Sequence, residues 1–72
     1  MQVLRQERAG DRRVALIEEQ GWFRVRIEVR GPHGWEDISL RVDRDLAFEV
    51  ASRRYRQRVA EQQARAIELG KD

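Results

Sequence analysis

The chain has 72 residues, enough for one small domain whose core only marginally offsets chain entropy. It has no cysteine, which excludes a disulfide framework and a thiolate metal site, and no apolar run approaches a membrane span. Fifteen basic and 13 acidic residues give a net charge of +2, too balanced for a polybasic tail, although all the basic residues but Lys71 are arginine, which suits phosphate and bidentate recognition.

Residues 1–11 are polar apart from Val3, Leu4 and Ala9 and end in a Gly10-Asp11 turn signal; they read as a flexible arm or an extra edge strand. No segment resembles a signal peptide, so the cytoplasm is the expected compartment. Residues 12–19 alternate as a first strand, with Val14 and Leu16 inward and Ala15 and Ile17 outward. Gln20-Gly21 fits a two-residue turn that sets Leu16 opposite Val25 and Val14 opposite Ile27. Residues 22–30 give the clearest strand, in which Phe23, Val25, Ile27 and Val29 alternate with Trp22, Arg24, Arg26, Glu28 and Arg30. The loop Gly31-Pro32-His33-Gly34 fits a type I turn into a strand over 35–42 whose Ile38, Leu40 and Val42 face inward.

A helix is expected over 43–69, capped by Asp43 or Asp45 and stopped by Gly70, with Lys71 beyond. Phe48, Ala51, Tyr55 and Val59 recur at spacings of three and four, a stripe suited to covering the sheet, with Glu49–Arg53 and Glu61–Arg65 as supporting pairs. A helix of about 25 residues reaches about 37 Å against about 30 Å for the longest strand, so its last turns should overhang. There Ala60, Ala64 and Ile67 form a narrow stripe that fits a second helix, a candidate dimer contact. The expected fold is α+β: residues 1–72 as one domain, with a three-stranded antiparallel sheet over 12–42 packed by one long C-terminal helix.

Material for catalysis is sparse. His33 lies in a turn, while Ser39 and Ser52 sit in no nucleophile motif. Glu28 and Asp37 face each other across the second hairpin, but Arg13, Arg26 and Arg30 surround them, which makes a salt-bridge cluster the reading rather than a cation site. There is no phosphate loop or metal-ligand spacing, so an enzyme, a metal and a cofactor are not expected.

The outward sheet face carries the functional lead: Trp22, Arg24, Arg26, Arg30, Trp35 and Arg41. Arg24 would oppose Arg41, a like-charge pair that an anionic partner would resolve. Arginine supplies phosphate contacts and guanine readout, and aromatic rings stack on unpaired bases. Arg53, Arg54, Arg56 and Arg58 on the helix could add phosphate contacts.

The run Gly21-Trp22-Phe23-Arg24-Val25-Arg26-Ile27, the later Leu40-Arg41-Val42 and the helical segment Ala47–Ala51 resemble the arm-type, AP2-like DNA-binding domains at the N-termini of phage and transposon integrases. The resemblance covers residues 12–59. It implies a three-stranded sheet backed by a helix, with Arg24, Arg26 and Arg41 entering a DNA groove and Trp22 at the strand start. Glu36 and Asp37 depart from that basic pattern, as does Val42-Asp43-Arg44-Asp45 before the helix. The leading expectation is a non-enzymatic nucleic-acid-binding module using this face. The alternative is a protein–protein module, such as a small phage- or plasmid-encoded adaptor or inhibitor with an acidic protein partner, which could dimerise through its C-terminal helix.

Overall fold

The computed structural model describes residues 1–70, so Lys71 lies outside the described residues. The order is β1 (Gln2–Ala9), β2 (Arg12–Glu19), β3 (Trp22–Gly31), β4 (Gly34–Asp37), a 3₁₀ turn (Arg41–Asp43) and α1 (Phe48–Leu69). The four strands form an antiparallel meander in the order β1-β2-β3-β4, so the fold is α+β with one strand more than expected. The N-terminal segment takes the edge-strand alternative. Gln6 pairs with Ala15 and Glu7 with Val14, and a bulge at Leu4 shifts the register between Val3 and Arg5.

The central hairpin keeps the register its side chains demand: Leu16 pairs with Val25 and Val14 with Ile27. Its turn residues Gln20 and Gly21 have φ of 54° and 85°, the left-handed pair that matches strand twist in a two-residue hairpin. Val14, Leu16, Val25 and Ile27 meet Ala51 and Tyr55 of α1 in the core, with Phe23, Leu46 and Val59 packed at its margin.

Several expectations are corrected. Ala15 and Ile17 lie on the outward face, away from α1, yet are 1% and 0% exposed, because that face is also covered. The strand expected over 35–42 stops at Asp37. Ile38 still donates its amide to the Ile27 carbonyl at 2.8 Å, but the Ile27 amide donates to the Ser39 hydroxyl at 3.0 Å instead of a backbone carbonyl. That side chain ends the ladder. The backbone then leaves in the 3₁₀ turn and returns at Leu46, which pairs with Phe23. Ile38, Leu40 and Val42 are consequently 39%, 45% and 63% exposed rather than inward.

The helix likewise starts at Phe48, not 43, and its N-cap is Ala47 with no side-chain hydrogen bond. Asp43 is drawn elsewhere. Its fully buried carboxylate accepts from Arg54 Nη1 at 2.7 Å and Arg58 Nε at 2.8 Å. These contacts clamp the 3₁₀ turn against α1 and, with Glu61, push the Arg58 pKa above its ordinary value, the Asp43 hydrogen bond leading. Of the turns expected to overhang, only 67–69 run on exposed, because α1 is held as far as Ala66. Gln62 accepts from Arg12 at 3.1 Å, Arg65 donates to Asp11 at 3.0 Å, and Ala66 lies against Gly10. Gly10, at φ 64°, makes that turn, and a Cβ there would sit 3.4 Å from the Ala66 Cβ.

Candidate functional site

On the sheet face away from α1, pairing sets Ile17 beside Val3 and Arg24, and Ala15 beside Gln6 and Arg26. The arginine stems lie along this face: the side chains of Arg24 and Arg26 are only 12% and 17% exposed, and both Nε atoms are buried without a hydrogen-bond partner among the described residues. Long aliphatic stems of this kind shield apolar neighbours while the charged heads reach polar groups. Here the heads reach carboxylates. Arg24 Nη2 is 3.9 Å from Asp37, Arg26 Nε is 3.5 Å from Glu28, and Arg13 Nε donates to Glu28 at 2.7 Å.

The Glu28–Asp37 pair therefore sits in an ion-pair cluster with Arg13 and Arg26 as expected, but with Arg24 in the place expected of Arg30. Burial pushes the Asp37 carboxyl up, but hydrogen bonds from the Ser39 hydroxyl and amide, with Arg24 and Arg26, outweigh it and hold the pKa below its ordinary value. Asp37 thus stays ionised and fixes the serine that terminates β4. Trp35 is half-buried and belongs to the same sheet of charge: Arg13 stacks over its ring at 4.3 Å and Arg8 at 5.5 Å.

The residues expected to act together are thus divided. Arg24, Arg26 and Trp35 are held within the domain, while Arg30 is exposed at the far end of β3. Arg41 is exposed but stands in the 3₁₀ turn, so it does not oppose Arg24 across a ladder. On α1, Arg54 and Arg58 clamp Asp43, whereas Arg53 and Arg56 are exposed. Ala60, Ala64 and Ile67 are also exposed on α1.

Trp22 remains open at 56% exposure. Glu19, Phe23, Arg24, Arg44 and Asp45 join it around a shallow cleft, and Arg44 also borders a second cleft with Asp37, Ser39 and Arg41. The 3₁₀ excursion thereby brings Arg41 and Arg44 round to the Trp22 end of the sheet, and neither is in an ion pair among the described residues. Exposed Ile38 and Leu40 continue along the same edge. Sequence reading missed Arg44, because the flanking Asp43 and Asp45 read as helix caps. Its signal was the mixed charge of a segment leading into a helix. Asp45, at φ 53°, instead occupies the left-handed region before the chain rejoins β3 at Leu46.

No group of three or more histidines, cysteines or carboxylates among the described residues could hold a metal ion. Among them, too, no helix is long and apolar enough to cross a membrane. No family model, curated protein or solved structure matches this chain.

Proposed function

We propose that this domain is a non-enzymatic binding module for a protein partner, and that it docks through the edge running from Trp22 by Arg44 and Arg41 to Leu40 and Ile38. The observation carrying this reading is the exchange of roles between the two kinds of side chain. Arg24 and Arg26, which looked free for phosphates, lie along the sheet within reach of Asp37 and Glu28, while apolar side chains that looked internal are exposed. Trp and Arg within a mixed-charge rim are the residue types that anchor protein interfaces, and exposed Ile38 and Leu40 add apolar surface to this side of the domain. The rim holds Glu19 and Asp45 as well as Arg41 and Arg44, so it favours a surface of mixed charge over a phosphate backbone.

Nucleic acid is the second reading, supported by the exposed Trp22 indole beside Arg41 and Arg44, which resembles a small stacking platform for an unpaired base. One comparison separates the two. Immobilised domain is expected to retain a discrete protein from a native lysate at moderate salt, and Trp22→Ala should weaken capture about thirtyfold, as loss of an interface anchor does. Binding to single- or double-stranded oligonucleotides that falls steeply with salt, with no protein retained, would overturn the protein reading.

A further inference from the structure

The two edges of the sheet are unequal. β4 has four residues, and its continuation is turned away by Ser39. β1 is eight residues long, exposed along nearly its whole length, and flanked on one side only. Exposed edges of this kind pair with another strand unless something blocks them. Among the described residues, the obstacles on this edge are the bulge at Leu4 and the charges of Arg5, Glu7 and Arg8. Arg5 and Glu7 make no ion pair within the chain among the described residues.

We infer that two copies of this chain join through β1, antiparallel and centred on Gln6, to form a continuous eight-stranded sheet. A two-fold axis normal to the sheet keeps both helices on one face and matches side chains face to face only when it passes through a residue. Arg5 and Glu7 share the helix side of the sheet, as their partners Leu16 and Val14 do; Gln6 and Arg8 share the opposite side with Ala15 and Arg13. Centring on Arg5, Glu7 or Arg8 opposes a charge to its own copy, which is destabilising. Centring on Leu4 engages little beyond the bulge. Centring on Gln6 sets Arg5 of each copy against Glu7 of the other and pairs the two Gln6 amides across the opposite face. The charges that would repel a wrong register thus specify this one.

The apolar groove beside β1 supports the same arrangement. Leu4, Leu16 and Phe48 line it, with Arg5, Glu49 and Arg56 at the rim. Leu4 and Phe48 are 38% and 51% exposed in the single chain. In the pair, both copies of this groove meet over the seam, and the added contact compensates for a small core.

Sedimentation equilibrium over a concentration series tests the inference, with circular dichroism to confirm folding. The chain is expected to sediment at twice its 8.6 kDa mass at high concentration. Glu7→Arg or Arg5→Glu should weaken association about tenfold or more, and the combined Arg5→Glu/Glu7→Arg swap should restore it. If a charge variant fails to fold, Gln6→Cys decides: this otherwise cysteine-free chain should oxidise to a covalent dimer across the axis. A monomer at every concentration overturns the inference. So does a dimer that ignores both reversals and does not crosslink at position 6, the behaviour expected of contact through Ala60, Ala64 and Ile67.

Discussion

Asp43→Ala is expected to destabilise the domain by about 3 kcal/mol, because the single carboxylate answers two guanidinium groups in a buried setting. Asp43 is fully buried, and Arg54 and Arg58 reach it at 2.7 and 2.8 Å. Removing one partner from a buried pair leaves the other charges without compensation, which is why the penalty exceeds that of a surface ion pair. The Arg54 and Arg58 side chains keep 28% and 12% exposure, so water relieves part of the loss and the effect falls at the lower end of the buried-pair range. For a domain of this size the loss corresponds to a melting point lower by about 15 °C. It should be local in origin: the 3₁₀ turn loses its clamp to α1 first, and with it the support for Leu46 beneath Phe23. Urea titration followed by circular dichroism measures the change, and Asp43→Asn should recover part of it by keeping hydrogen bonds from the two arginines.

Tyr55→Ala is expected to cost more, about 4 kcal/mol, by emptying the volume of the largest fully buried side chain. Tyr55 is 1% exposed and sits where α1 crosses β2 and β3, with Arg5 over its ring at 5.3 Å. Tyr55→Phe separates the ring from the hydroxyl. The hydroxyl is buried without a hydrogen-bond partner among the described residues, and burial, with Glu7 adding and Arg5 opposing, raises its pKa. The phenylalanine variant should therefore be as stable as the parent, or more stable by up to about 1 kcal/mol, since nothing is lost but an unsatisfied polar group. A further difference appears in alkali. The raised tyrosine pKa means that its contribution is complete below the ordinary pKa and is lost as pH rises through the folded value. Tyr55→Phe should lack that alkaline decline.

The legible parts of this fold are those set by local signals. Period-two alternation and the Gln20-Gly21 turn determine the β2–β3 register, and spacings of three and four place Ala51 and Tyr55 on the buried side of α1. What escaped was set by contacts distant in sequence. Ile38, Leu40 and Val42 alternate as a strand should, yet one Ser39 hydroxyl taking the Ile27 amide ends the ladder twelve positions away. Asp43 has the right type and place for a cap, but its partners lie 11 and 15 residues further on. The arginines of β3 show the same limit at the candidate site. Alternation puts them on the face away from the helix, as observed, but does not reveal that Ala15 and Ile17 lie between them and β1 and draw their stems flat. Arg44 became part of the Trp22 corner only because the chain detours before α1.

Arg24 and Arg26 on β3 are part of the packing and not a free cationic surface. The stability of the Arg24→Ala/Arg26→Ala double variant against urea tests this most directly. Loss of the stems uncovers Ala15 and Ile17 and leaves Glu28 and Asp37 with fewer partners, so the domain should lose about 2 kcal/mol. An unchanged unfolding midpoint, with the same dependence on urea, would mean that these side chains cover nothing and stand free as a cationic surface.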